Sequence, residues 1–231
     1  MKTIGLLGGM SWESTVEYYR AINEGVKNVL GGLHSAKIIL YSVDFEPLER
    51  RQHQDDWAGA AKILCDAAVR VQDAGADFLV VCTNTMHKVA PDIESAIDIP
   101  LLHIADATAR VLIADGVAKV GLLGTAFTME KEFYKGRLQG KHGLEVVIPG
   151  TADRELVHDV IYRELCLGRV LETSKKEYLR IIRQLTDDGA EAVILGCTEI
   201  GMLVGQQDTD VKLYDTTAIH AQKAVEYAVA P

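Results

Sequence analysis

The feature that most constrains this chain is an internal repeat. Gly75-Ala76-Asp77-Phe78-Leu79-Val80-Val81-Cys82-Thr83 aligns with Gly189-Ala190-Glu191-Ala192-Val193-Ile194-Leu195-Gly196-Cys197 at a constant offset of 114 residues (189 − 75). A second pair, Ile4-Gly5-Leu6-Leu7-Gly8 and Val120-Gly121-Leu122-Leu123-Gly124, lies at nearly the same offset, 116 (120 − 4). Two similar α/β halves are expected. Each opens on a Gly-Leu-Leu-Gly strand, and each carries an apolar strand with a special residue at its carboxyl end: Cys197 in the second half and Thr83 in the first.

Between these landmarks, short apolar runs alternate with amphipathic stretches of helical length, the pattern of a mainly parallel sheet with crossover helices. Strands are predicted near 2–7, 37–42, 78–82, 101–104, 119–123, 144–148, 192–195 and 212–214. Helices are predicted near 13–29, 57–73, 86–96, 105–114, 129–138, 154–167, 175–187, 200–204 and 217–229. Gly75 and Gly189 each follow a helix, as C-terminal caps do. No linker rich in Pro, Gly or Ser parts the halves, so the boundary is placed at a close-packed crossover near Pro100. The last strand and helix, from about Val211, fall outside the repeat and are expected to return to the first half. The predicted domains are 1–99 with 209–231, and 100–208.

A formal charge of −9 over 231 residues, with no Lys/Arg block, argues against a nucleic-acid surface. No apolar run approaches the roughly 20 residues needed to span a bilayer, so no membrane partner is expected. The first residues carry one positive charge and an apolar stretch broken by Gly5, Gly8 and Gly9, unlike a secretory signal, and a cytoplasmic location is the expectation. The cysteines Cys65, Cys82, Cys166 and Cys197 show no CxxC spacing and are expected to be free thiols. Seven scattered histidines give no metal-ligand spacing, so no metal is expected.

Cys197 follows an apolar strand and precedes a helix. Ligands in open α/β sheets bind outside such strand ends, and a helix N-terminus there would favour the thiolate. Thr83 sits at the equivalent turn and reads either as a helix cap or as the functional counterpart of Cys197. Cys82 matches Gly196 instead, and a one-residue shift on a strand reverses the side chain, so Cys82 is expected to point away. The glycine turns at Gly8-Gly9 and Gly124 lack the GxGxxG and GxxxxGK[ST] spacings, but their backbone N–H groups could hold a carboxylate. His87 could tune the Thr83 turn or be a packed or surface histidine. Arg50-Arg51-Gln52-His53 reads as a solvated loop or as a grip for a second carboxylate.

Taken together, the Gly-Leu-Leu-Gly-Gly-Met start, Asn84-Thr85-Met86-His87, the segment from Gly121 to Thr128, and Leu195-Gly196-Cys197-Thr198-Glu199 resemble the aspartate/glutamate racemase family along essentially the whole chain. The resemblance implies two Rossmann-like α/β domains with pseudo-twofold symmetry and mainly parallel sheets, an amino-acid racemase without pyridoxal phosphate or metal, and a homodimer. It implies that Cys197 handles the L-enantiomer and that Thr83 stands where the family has a second cysteine. Substrate contacts implied are Met10, Arg51, Gln52, Asn84, Thr85, Thr125, Thr128, Thr198 and Glu199, with no cofactor. The family's distal lysine falls near Cys166, which leaves room for neutral side chains such as homoserine. A hydroxyl is a far weaker acid than a thiol, so an asymmetric racemase favouring the L-enantiomer is expected. The alternatives are a single-cysteine decarboxylase or cis–trans isomerase of the same superfamily, or an amino-acid-binding protein without turnover.

Overall fold

The computed structural model describes residues 1–230 and divides into two compact units, Met1–His103 with the chain from His220 onward, and Ile104–Ile219. In the first unit β1 (Ile4–Gly8), α1 (Trp12–Leu30), β2 (Ile38–Ser42), α2 (Phe45–His53), α3 (Trp57–Asp73) and β3 (Phe78–Val81) follow in order. A 3-10 turn at Thr85–Val89 then leads into α4 (Ala90–Ala96). The sheet is parallel in the order β2-β1-β3, with Leu101 added as a parallel bridge to Leu79. Its central strands are apolar on both faces because both are covered. Ile4, Leu6, Phe78 and Val80 pack with Tyr18, Ile22 and Val26 of α1, while Leu7, Leu79 and Val81 pack with Leu64, Ala68 and Val71 of α3.

The second unit comprises α5 (Ile104–Ala114), β4 (Lys119–Gly124), α6 (Ala126–Glu130), α7 (Lys135–His142), β5 (Glu145–Val147), α8 (Thr151–Arg163), α9 (Glu172–Asp187), β6 (Ala192–Gly196), α10 (Ile200–Leu203) and β7 (Leu213–Asp215). Its parallel sheet runs β5-β4-β6-β7. Leu122, Leu123, Val193 and Ile194 form its core with Tyr178, Ile181, Ile182 and Leu185 of α9. The chain closes with α11 (Thr216–Val229), whose Ala221, Ala224, Val225 and Ala228 join the α1 side of the first unit's core.

Each sheet therefore sets its Gly-Leu-Leu-Gly strand beside the strand that leads to Thr83 or Cys197. The final strand departs from expectation: β7 pairs with β6, Val193 opposite Leu213, and so belongs to the second sheet rather than the first unit. The repeat does include it, since Leu101 bridges Leu79 in the same way. That one bridge is all that forms of the strand predicted at 101–104, and it is too short to reveal the correspondence in sequence.

The segment 45–53 is a helix, not a solvated loop. The Asp44 side chain accepts from the Glu46 N–H, Arg50 pairs with Glu46 one turn away, and Leu48 is fully buried. The helix predicted at 129–138 is two helices, parted where Lys131 turns extended.

Candidate active site

Cys197 leaves β6 where two strands close on each other. A Cβ on Gly196 would lie 2.7 Å from the Leu123 carbonyl oxygen, and one on Gly124 would lie 2.8 Å from the Gly196 carbonyl oxygen. Glycine on both strands lets the sheet end tightly, and the next residue projects from that end. The Cys197 side chain is 7% exposed, and its Sγ–H donates to Glu199 Oε2 at 2.9 Å. The Thr198 hydroxyl donates to the same oxygen at 2.8 Å, and Glu199 itself is buried.

This environment reverses one expectation. Burial pushes the Cys197 thiol well above its usual range, and the Glu199 carboxylate beside it pushes the same way. The following helix, α10, is a single turn of four residues and does not offset a buried negative neighbour. Cys197 rests as a thiol whose hydrogen is already directed at a carboxylate.

In the first unit Thr83 follows β3 and is 8% exposed. Asn84 and Thr85 follow it, both buried, leading into the 3-10 turn. Thr83 is not the side-chain cap of that turn; Asn84 occupies the cap position and makes no side-chain cap bond. Cys82 lies in the core with Ile4, Leu6 and Tyr18, and burial raises its thiol far above the ordinary range. Met10 shares a core cluster with Met86 of the turn, and the Gln52 amide lies 3.8 Å from Met86 Sδ. These packings bring Met10 and Gln52 to the Thr83 turn. Arg51 is ion-paired with Asp56 at the head of α3, so gripping a substrate carboxylate would mean sharing the guanidinium with Asp56.

Thr125 caps α6: its hydroxyl accepts from the Thr128 N–H at 3.3 Å and lies 3.3 Å from the Thr128 hydroxyl. The turn amides expected to cradle an anion are engaged within their own units. Gly9 N–H donates to Thr15 Oγ1 (2.9 Å), and Ala126 N–H donates to His158 Nδ1 (3.2 Å).

Two groups escaped the sequence reading. Tyr178 is fully buried, its hydroxyl donating to the Val157 carbonyl, and Cys197 and Cys166 both lie within electrostatic reach of it. A buried histidine chain, His87, His103 and His220, stands behind the Thr83 turn. The partners are distant in sequence, which left only the proximity of His87 to Thr83 as a signal. Among the described residues no group of three or more His, Cys, Asp or Glu is arranged to hold a metal ion, and no helix is long and apolar enough to cross a membrane.

Comparison with known proteins fits this arrangement. Residues 7–224 match the family described as Asp/Glu/Hydantoin racemase. A crystal structure from Yersinia pestis, described as a candidate Asp/Glu racemase, is 58% identical over the full length of both chains with a TM-score of 0.92. An aspartate racemase homologue from Pyrococcus horikoshii OT3 is 35% identical over the full length of both, TM-score 0.85. The broad specificity amino-acid racemase RacX of Bacillus subtilis (strain 168) is 21% identical over 98% of each chain. With the strand ends, the buried thiol and its carboxylate in place, the chain belongs to the Asp/Glu/hydantoin racemase family.

Proposed function

We propose that this protein racemises a small amino acid of the aspartate/glutamate class by moving the α-proton, with Cys197 serving the L-enantiomer's face and Thr83 the opposite one. The observation that carries this reading is the Cys197 thiol, buried at a strand end with its hydrogen already donated to the buried Glu199 carboxylate. The equivalent positions of Thr83 and Cys197 after β3 and β6 support the pairing.

The step begins with the substrate ammonium, whose positive charge offsets that of Glu199 and favours the thiolate, the Sγ proton leaving to solvent. The thiolate takes the α-proton: the Cα–H bond breaks, an S–H bond forms, and the electron pair passes into the substrate carboxylate as an enediolate. Reprotonation on the other face comes from the Thr83 hydroxyl as it takes a proton from water. The equilibrium between enantiomers is fixed at unity, so slower turnover of the D-enantiomer must be matched by a lower KM. Binding draws on Met10, Gln52, Asn84, Thr85, Thr125, Thr128, Thr198 and Glu199, with Arg51 shared between Asp56 and any distal carboxylate. The relatives described as an aspartate racemase homologue and a broad specificity amino-acid racemase support this substrate class.

The test is α-proton exchange in D₂O followed by NMR, with L- and D-aspartate, glutamate and homoserine. Exchange or inversion that depends on Cys197 supports the reading; none with any of the six overturns it for this class.

Two further outcomes are expected. In the free enzyme the thiol titrates above its usual range, and kcat/KM reports the free enzyme's ionisations. The kcat/KM for the L-substrate should therefore keep rising above pH 9, and Glu199→Gln should move that rise to lower pH by removing a negative neighbour. A plateau already reached by pH 7 would contradict a thiolate base. Thr83→Cys should raise kcat for the D-substrate by about 10-fold or more, as a thiolate replaces a poorly ionised hydroxyl. Unchanged D-turnover would show that the hydroxyl does not limit that direction.

A further inference from the structure

We infer that His87 is a positioning residue for the Thr83 face, holding the backbone from which the Thr83 hydroxyl projects; this deepens the racemase reading above and rests on it. His87 is 2% exposed, and its Nδ1 lies 2.7 Å from the Thr83 carbonyl oxygen. A carbonyl can only accept, so Nδ1 carries the proton and the tautomer is set by this bond. The contact spans the turn from Thr83 to the 3-10 segment, alongside the His87 N–H bond to the Asn84 carbonyl at 3.1 Å. Fixing the Thr83 carbonyl fixes the peptide plane after Thr83, and with it the direction of the residue's own side chain.

The ring is itself held from behind. Its centroid lies 4.5 Å from that of His103 and 5.9 Å from that of His220, the latter on α11. His220 is fixed at both nitrogens. Nε2–H donates to the Leu102 carbonyl at 2.7 Å, which leaves Nδ1 to accept from the Tyr18 hydroxyl at 2.9 Å. The column therefore links α1, α11 and the chain after Leu101 to one carbonyl, that of Thr83. It is not a metal cluster, because both nitrogens of His220 already have partners. A hydroxyl acting as a weak proton donor depends on exact placement more than a thiol does, since displacement of about 1 Å can cost about 100-fold in rate.

The experiment compares His87→Ala and His87→Asn with wild type and reads three quantities. The first is the His87 tautomer, by long-range ¹H–¹⁵N correlation on the unliganded protein; protonated Nδ1 is expected, and protonation at Nε2 alone overturns the inference. The second is the ratio of inversion to α-proton exchange for the L-substrate in D₂O. Exchange through Cys197 with retention needs only one face, so His87→Ala should lower inversion at least about 10-fold relative to exchange. His87→Asn keeps an N–H donor near the Nδ1 position and should recover much of the ratio. The third is Tm. Equal loss of exchange and inversion in His87→Ala, tracking its Tm, would mean a purely structural histidine and overturn the inference. If wild type shows no Cys197-dependent exchange, the racemase reading fails. The tautomer measurement still decides whether the Thr83 carbonyl is held as described.

Discussion

Cys197→Ser should lose about 1,000-fold or more in both α-proton exchange and inversion of the L-substrate, with Tm little changed. The substitution keeps a hydrogen-bond donor beside Glu199 and nearly the same volume, so the buried contact at 2.9 Å has a successor. What it removes is an atom able to hold a negative charge and accept a carbon-bound proton, a general-base contribution of roughly 100- to 10,000-fold. A 1,000-fold loss corresponds to about 4 kcal/mol of transition-state stabilisation. Cys82→Ala is the matched control, because that thiol is packed among Ile4, Leu6 and Val80 and its Sγ–H donates to the Val80 carbonyl at 3.8 Å. It should cost some stability and leave exchange near the wild-type rate. Full activity in Cys197→Ser, or its loss in a folded Cys82→Ala, would reverse the roles assigned to the two thiols.

The contrast between these cysteines was legible in the sequence because strands have a period of two. Thr83 and Cys197 fall in the same register of two copies of one motif, and Cys82 falls one residue off. The alternation of strands and helices was legible for the same reason, and the family resemblance rests on the same short segments. Three things were not. The ionisation of Cys197 depends on its burial and on Glu199 folding back onto it, a side-chain choice that no spacing reveals. The helix at Phe45–His53 buries only Leu48 and Gln52, so its apolar period is too sparse to separate from a polar loop. The histidine column joins residues up to 133 positions apart (220 − 87), whose meeting is a property of the sheet and of the returning α11.

Asp106→Asn is expected to destabilise the second unit by about 3 kcal/mol, through a cluster with no part in the proposed chemistry. Asp106 sits in α5 at 8% exposure and receives four donors from α7. Arg137 binds both carboxylate oxygens, at 2.7 and 2.8 Å, and Lys141 and His142 add contacts at 2.7 and 2.9 Å. Burial alone would raise the Asp106 pKa, but the hydrogen bonds from Arg137, His142 and Lys141 outweigh it and hold the carboxyl well below the usual range. Removing the anion leaves the half-buried Arg137 guanidinium facing a neutral amide, and the cost falls at the lower end of that for breaking a buried pair from one side, about 3 kcal/mol. For a chain of this size that is a fall in Tm of about 6–12 °C. The sign of the pH dependence follows from the depressed folded-state pKa. The stabilisation is complete above the unfolded value near pH 4 and is lost as pH falls below it toward the folded value. Thermal melts of wild type and Asp106→Asn should therefore differ by a constant gap from pH 7 to 5, and the gap should begin to narrow below about pH 4. A gap that does not narrow at all between pH 5 and pH 3 would assign the cost to lost packing and not to the charge, and equal Tm at pH 7 would remove the cluster as the clamp between α5 and α7.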